Sequence, residues 1–241
     1  MSGHSKWATI HRKKGLIDAQ RGKIFQKLAK EIMVATKGGS PDPNENASLR
    51  LAVDKAKAAN MPKENIENAI KKASGSADDT NYEQVRYEGY GPNGVAFMVD
   101  CLTDNRNRTA PMVRNCFTKS GGNLGTDGSV SYMFNRKGSI IIQDAYEEDK
   151  MLEVSLDAGA EDFEHVEDTF VVSTDQESFT KVRDALENAG VKEFLECSLT
   201  YVPTMEVEIT DEETKERVYK LIENLEDLDD VQDVYYNLKE E

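Results

Sequence analysis

The alternation of strand-like and helix-like segments between residues 139 and 202 is the feature of this sequence that most restricts its fold. Apolar runs of strand length alternate there with two longer amphipathic stretches. The predicted strands are 139–143, 161–166, 169–173 and 193–201, and the predicted helices are 147–158 and 176–189. This βαββαβ order is typical of a ferredoxin-like domain, which we predict at residues 137–202.

Segments of the same two kinds lie on both sides of this module. We predict strands at 82–88, 95–102, 130–134, 204–209 and 231–237, and helices at 105–119 and 211–225. The segments after residue 203 have no other partner sheet nearby in sequence, so we expect them to complete the sheet that begins at residue 82. The prediction is a central α/β domain of residues 79–136 and 203–241, into which the ferredoxin-like domain is inserted.

The first third of the chain carries helical periodicity. Ile24, Leu28 and Ile32 recur every four residues within a predicted helix at 16–37. A second helix is predicted at 47–59, and a third begins near Pro62 and ends at Gly75. We therefore predict an N-terminal three-helix bundle at residues 1–78, and an α+β protein of three domains as a whole.

Charge is distributed unevenly along the chain. The 241 residues have a formal net charge of −15, which taken alone argues against binding to nucleic acid. Residues 1–75, however, hold 15 basic and 7 acidic side chains, a net charge of +8, whereas the other 166 residues hold 15 and 38, a net charge of −23. This asymmetry indicates at least two bodies with different partners.

The positive charge is densest at the start of the chain. Residues 1–30 contain eight Lys or Arg side chains and a single acid, Asp18, and the stretch 4–14 has little helical periodicity. A basic arm with one Trp that leads into a lysine-rich helix is typical of a protein that binds the phosphate backbone. The predicted contact residues are Lys6, Trp7, Arg12, Lys13, Lys14, Arg21, Lys23, Lys27 and Lys30.

An alternative interpretation of the same residues stays open. Trp7 could pin the arm to the bundle instead of stacking on a base, and the lysines could form a solvated face. Charge clustering also does not distinguish DNA from RNA, because phosphate contacts carry no sequence information.

Two further motifs are candidate phosphate sites. Gly89–Gly94 satisfies GxGxxG, but Pro92 removes one N–H donor and a strand follows, so we predict a hairpin turn and no cofactor. Arg106 and Arg108 stand at the start of a predicted helix, where cations oppose the helix dipole. They form a candidate secondary phosphate contact, and pairing with nearby acids is the equal alternative.

The His, Cys and acidic residues from which catalytic or metal sites are usually built are scattered along the chain. His4, His11 and His165 show no metal-ligand spacing, and His165 is expected on a strand surface. The acidic runs, including 226–230, are expected to be solvated faces. We therefore predict no enzyme, no metal and no small-molecule substrate. Three scattered cysteines, the absence of a secretory signal and the lack of a ~20-residue apolar run predict buried thiols, a cytoplasmic protein and no membrane partner.

Several long motifs resemble those of the YebC/PmpR family over nearly the whole chain. They are Gly3–Trp7, Arg21–Phe25, Asn60–Pro62, Tyr87–Pro92, Leu102–Thr109 and Gly121–Gly125. The resemblance implies three domains: an N-terminal helical domain, a central α/β domain and an inserted ferredoxin-like domain. It also implies a transcriptional regulator that binds promoter DNA, although some relatives, including a mitochondrial translational activator, act on translation at the ribosome.

Taken together, the residues and the resemblance predict a non-enzymatic nucleic-acid-binding regulator, in the first place a DNA-binding transcriptional regulatory protein. The alternative is a ribosome-associated translation factor that acts on RNA, with rRNA or tRNA as its partner. A basic protein is a further candidate partner, because the acidic domains offer it a complementary surface.

Overall fold

The computed structural model describes residues 21–75 and 81–239. The chain divides into two compact units, one of Met1–Ala77 with Arg136–Thr200 and the other of Asp78–Asn135 with Tyr201–Glu241. Helices and two four-stranded sheets confirm the predicted α+β class. The boundaries of the three predicted domains stay a prediction.

Three helices form the N-terminal part of the first unit. Helix α1 covers residues 21–37 of the described chain, α2 covers Ala47–Ala58 and α3 covers Lys63–Ser74. These helices confirm the predicted ones to within about two residues at the ends that the structure describes, whereas residues 16–20 of the first predicted helix lie outside the described chain. The apolar side chains that they bury are Leu28, Ile32, Met33, Leu49, Ala52, Val53, Ala56, Ile66, Ala69 and Ala73.

A β-hairpin and a helix begin the second unit. Strand β1 (Glu83–Tyr90) pairs antiparallel with β2 (Ala96–Thr103) over their full lengths. The turn between them holds Asn93 at φ 57° and Gly94 at φ 73°, which confirms the prediction of a hairpin turn. Helix α4 covers Arg106–Lys119, and the short strand β3 (Asn123–Leu124) pairs with the end of β1.

The next four strands form the second sheet. Strand β4 covers Phe134–Gln143, helix α5 Glu148–Asp157, strand β5 Ala160–Val166, strand β6 Thr169–Thr174, helix α6 Phe179–Asn188 and strand β7 Glu196–Pro203. The strands are arranged in the order β5-β6-β4-β7, and β6 is antiparallel to both of its neighbours. This order is the ferredoxin-like arrangement that the βαββαβ pattern predicts.

The last two elements return to the first sheet. Helix α7 covers Glu212–Glu226, and strand β8 (Val231–Tyr236) pairs antiparallel with β2, so that the sheet order is β3-β1-β2-β8. The expectation that the C-terminal part of the chain completes the sheet begun at residue 82 is thereby confirmed for the strand predicted at 231–237. Its core packs Phe97 edge-on against Phe117, with ring centroids 5.8 Å apart, beneath the apolar side of α7.

One predicted strand, at residues 130–134, is wrong. The chain there forms a short 3-10 turn at Ser131–Met133 and only then enters β4. The carboxylate of Glu88 accepts hydrogen bonds from the backbone N–H groups of Val130 at 2.7 Å and Ser131 at 2.8 Å. These donors are therefore used by a side chain and not by a neighbouring strand.

The strand predicted at residues 204–209 is wrong as well. Only Val207 pairs there, in a single parallel bridge with Leu238. Thr204 N–H instead donates to Met133 O at 2.8 Å, so this backbone serves the turn before β4. The apolar and polar residues alternate as in a strand, but the neighbours needed for a ladder are missing along this stretch.

Candidate nucleic-acid interface

The described cations of the predicted site lie on α1. Successive residues of an α-helix are rotated by about 100°, so Lys23, Lys27 and Lys30 fall within an arc of about 60° on one side of the helix. Ile32, which is fully buried, lies on the opposite side. The three lysines are partly exposed. We call Lys23, Lys27 and Lys30 the lysine stripe.

The structure does not place the other predicted contact residues on this stripe. Arg21 is exposed at the start of the described helix, but it is rotated by about 160° from Lys23 and so lies near the side of Ile32. The remaining members of the predicted site lie outside the described residues: Lys6, Trp7, Arg12, Lys13 and Lys14. The full set therefore stays a prediction, and the stripe is the part of it whose geometry is described.

The loop and helix after α1 fix its position. The Asn46 amide donates hydrogen bonds to Ala35 O at 2.8 Å and Ser40 O at 2.9 Å, and its carbonyl accepts one from Leu49 N–H at 3.0 Å. The same residue thus caps α2 and holds the turn that follows α1. Lys55 of α2 also pairs with Glu31, the one acid within the described part of α1, at 2.8 Å.

A buried ion pair joins α2 to α6 within the first unit. The Arg183 guanidinium donates two hydrogen bonds to the Asp54 carboxylate, at 2.6 and 3.0 Å, and both residues are buried. Burial alone lowers the pKa of Arg183, but hydrogen bonds with Asp184 and Asp54 outweigh it and raise the pKa. Arg183 therefore stays charged, and the ion pair connects α2 with α6.

This attachment is a feature that the sequence does not reveal. Asp54 is rotated by about 140° from Leu49 and so lies off the apolar stripe of α2. Neither the helical periodicity nor the charge pattern distinguishes Asp54 from a solvated acid. Its partner, Arg183, lies 129 residues further along the chain.

The two arginines at the start of α4 are engaged by acids. Arg106 lies 3.4 Å from Glu83, and Arg108 lies 2.8 Å from Asp104 and 2.7 Å from Asp230. Hydrogen bonds with Asp230 and then Asp104 raise the pKa of Arg108. These contacts are the ion pairs of the alternative interpretation, and a phosphate contact at Arg106 and Arg108 stays a prediction.

The expectation that the acids at 226–230 form a solvated face is wrong for Asp230. This residue is 6% exposed, and its carboxylate accepts hydrogen bonds from Thr109 Oγ1 at 2.8 Å and Thr103 Oγ1 at 3.3 Å, besides the contact with Arg108. The carboxylate thereby links the end of β2, the start of α4 and the turn before β8. Asp230 is the last acid of the run and directly precedes Val231, where a strand begins. This position is the sequence signal that could have distinguished Asp230 from the other acids of the run.

The cysteines and His165, which are the candidate catalytic or metal-binding residues, lie in surroundings typical of residues with a structural role. Cys101, Cys116 and Cys197 are buried free thiols, as predicted. His165 lies on β5 within 3.0 Å of Glu148 and 3.4 Å of Asp144. Within residues 21–75 and 81–239, no group of three His, Cys, Asp or Glu side chains is arranged to hold a metal ion, and no helix is long and apolar enough to cross a bilayer.

Two family models match the chain. The model described as the TACO1/YebC protein N-terminal domain matches residues 5–76, which include the lysine stripe. The model described as the TACO1/YebC second and third domain matches residues 82–238. Together they cover the three helices and both sheets.

Relatives of known name and one solved structure agree with these matches. A protein of Geobacillus thermodenitrificans named "probable transcriptional regulatory protein" is 54% identical, covering 100% of this chain and 98% of its own. A protein of Finegoldia magna with the same name is 55% identical and covers 98% of each chain. The crystal structure of a conserved hypothetical protein from Aquifex aeolicus is 49% identical, covers 92% of each chain and superimposes with a TM-score of 0.81. The chain therefore belongs to the TACO1/YebC family.

Proposed function

We propose that this protein is a non-enzymatic regulator that binds DNA and acts on transcription. The lysine stripe of α1 is the observation that carries the proposal. Its three cations lie opposite the buried side of their helix, in a segment of net charge +8 within a chain of net charge −15. Cations grouped on the outer side of a helix are the electrostatic footprint of a protein that binds phosphates.

The basic arm extends this contact in the proposal. Lys6, Arg12, Lys13 and Lys14 would neutralise further phosphates, and Trp7 could stack on an unpaired base, a contact worth about 1–3 kcal/mol. Each neutralised phosphate releases condensed counterions, so the binding should weaken steeply as salt is added.

The names of the relatives support transcription as the process. Proteins more than 50% identical over nearly the whole chain are named probable transcriptional regulatory proteins. Promoter DNA is accordingly the proposed partner, in preference to ribosomal or transfer RNA.

The remainder of the chain has a different proposed role. Its net charge of −23 repels phosphates on the whole, which disfavours non-specific wrapping of nucleic acid around this part of the chain. The same charge would attract a basic protein partner. Asp54, Glu88 and Asp230, the buried carboxylates described above, are each held by structural hydrogen bonds, which supports a role in architecture and not in acid–base catalysis.

Fluorescence anisotropy with the full-length protein tests the proposal. Affinities should be measured for a duplex from the upstream region of a candidate regulated gene, for a random duplex and for a structured RNA, each over a salt series. Sedimentation of a cell lysate through a sucrose gradient is the parallel measurement, because it reports association with ribosomes.

A preference of about 10³ or more for particular duplex sites over random DNA supports the proposal. Comigration with ribosomes together with a preference for RNA over every duplex contradicts it, and would leave the translation factor as the function. Binding to none of the three nucleic acids would contradict nucleic-acid recognition altogether.

A further inference from the structure

Helix α4 differs in charge from every other described helix. Its 14 residues contain Arg106, Arg108, Arg114 and Lys119 and no acid, within the part of the chain that holds 38 acids against 15 bases. Helix α7 of the same unit carries five acids and three bases. A helix without acids in such surroundings is an island of positive charge.

The four cations of α4 are not equivalent. The two arginines of the first turn form ion pairs with Glu83, Asp104 and Asp230. Arg114 and Lys119 are exposed, and neither makes an ion pair within the described part of the chain. The positive charge that α4 offers to a ligand therefore comes from its middle and its end.

The geometry of α4 places these two cations on its outer face. The helix buries Thr109, Val113, Cys116 and Phe117 against the rest of the unit. With about 100° per residue, Arg114 and Lys119 flank the middle of the opposite side and are separated by about 7.5 Å along the axis. Asn107 and Asn115, both exposed, lie on the same face and add amide donors between the charges.

We propose that the outer face of α4 is a second nucleic-acid contact, in which Arg114 and Lys119 bind backbone phosphates. The inference rests on the proposed function, and it moves the secondary phosphate contact from the paired arginines of the first turn to the unpaired cations beyond it. Charge complementarity identifies the occupant, because cations with interleaved amide donors and no acids match a phosphate backbone. The contact is independent of base sequence.

The double variant Arg114→Gln with Lys119→Gln tests this contact in the full-length protein. With a duplex of about 30 base pairs as the probe, its affinity at about 100 mM salt should fall by at least about tenfold. The slope of log K against log salt concentration should become shallower by about 2, because two phosphate contacts are lost. Circular dichroism should show an unchanged fold, since both side chains are exposed and neither makes an ion pair with a described residue.

Two controls separate a local contact from other effects. The variant Lys220→Gln with Lys239→Gln removes the same charge from exposed sites of the same unit and should leave the slope unchanged. Met112→Ala, at a neighbouring residue of α4 that is 46% exposed, removes apolar surface without changing the charge and should also leave it unchanged.

The outcomes distinguish this inference from the proposed function. If neutralising the lysine stripe weakens binding while the Arg114 and Lys119 variant binds like the wild type, the second contact is wrong and the proposed function stands. If neither variant changes the binding, both the lysine stripe and the second contact are wrong as binding sites. A loss equal to that of the Lys220 and Lys239 control reduces the effect to net charge. A loss with Met112→Ala alone shows that binding depends on the apolar surface of α4 and not on its cations. Both results overturn the inference.

Discussion

Asp54 and Arg183 show how a single pair of residues can fix the position of a basic helix, because the pair connects α2 with α6. Arg183 is 2% exposed and holds the Asp54 carboxylate through two hydrogen bonds, and the Phe194 ring lies 5.6 Å from its guanidinium carbon. A buried charge without its partner is costly, whereas the intact pair contributes little over an apolar pair of the same volume. The attachment of α2 to α6 therefore depends on both members.

We expect Asp54→Ala to lower the free energy of unfolding by about 1–3 kcal/mol, because the buried Arg183 guanidinium loses its two hydrogen bonds to α2 and keeps only those with Asp184 and Glu187 of its own helix. Urea unfolding followed by circular dichroism measures the change. Lys57→Ala, an exposed residue of the same helix, is the control and should change it by less than about 0.5 kcal/mol. An Asp54→Ala protein as stable as the control would show that the pair does not hold the helices to the sheet.

Glu88 is a second residue whose carboxylate organises the backbone. It accepts hydrogen bonds from the N–H groups of Gly128, Val130 and Ser131, at 2.7–2.9 Å. Burial by itself raises the pKa of Glu88, but these backbone donors outweigh it and lower the pKa below its ordinary value of 4.5. The ionised form is therefore the one that the fold favours.

The sign of the resulting pH dependence follows from the lowered pKa. The contribution of Glu88 to stability is fully present above pH 4.5, and it is lost as the pH falls through the lower pKa of the folded protein. We expect Glu88→Gln to cost about 1–3 kcal/mol at pH 7 and to flatten the loss of stability below pH 4.5. Unfolding free energies measured from pH 3 to 7 test this, and parallel profiles for the two proteins would contradict it.

At the scale of elements, the start of α2 depends on Asn46. This side chain caps the helix and also donates to Ala35 O and Ser40 O in the turn after α1. We expect Asn46→Ala to lower the free energy of unfolding by about 1–3 kcal/mol, because the cap and two hydrogen bonds are lost together. Asn46→Asp keeps the capping oxygen and loses the donors, so an intermediate stability is expected. Equal stability of all three proteins in urea would show that the turn needs no cap.

Elements with a regular pattern could be predicted from the sequence, and the exceptions have a physical cause. The βαββαβ order and the hairpin turn at Pro92–Gly94 depend on neighbouring residues, so local periodicity and turn chemistry suffice to predict them. The segment 130–134 has the composition of a strand, but the carboxylate of Glu88, which is distant in sequence, takes its backbone donors. Such competition is invisible to a local pattern.

The residues of the candidate site also differ in how far they could be predicted from local spacing. The lysine stripe is visible in the sequence, because positions four and three apart share a helix face. The buried partners of Arg108 and Arg183, which are Asp230 and Asp54, lie 122 and 129 residues away, so no spacing rule reveals these two contacts. The roles of Arg114 and Lys119 emerge only once the first-turn arginines are known to be paired.

At the scale of the whole molecule, the basic segment is part of a larger compact unit. Residues 136–200, which join residues 1–77 in that unit, hold 6 basic and 17 acidic side chains. The net charge of +8 on residues 1–75 is therefore combined in one unit with a net charge of −11 on residues 136–200. Attraction of a polyanion must then come from the arrangement of charge and not from its sum.

The central claim is that the lysine stripe of α1 binds the phosphates. Its most direct test compares the variant Lys23→Gln, Lys27→Gln and Lys30→Gln with a control, Lys57→Gln, Lys63→Gln and Lys71→Gln, in which three exposed lysines of α2 and α3 lose the same charge. A third protein, with Lys→Arg at the three stripe positions, keeps the charge and guards against an effect on folding.

The measurement is the slope of log K for a duplex against log salt concentration in the full-length proteins. The account predicts that the stripe variant has a slope shallower by about 2–3, that the control keeps the slope of the wild type, and that the arginine variant restores binding. Equal slopes for the stripe variant and the control would contradict it, because the binding would then depend on net charge and not on α1.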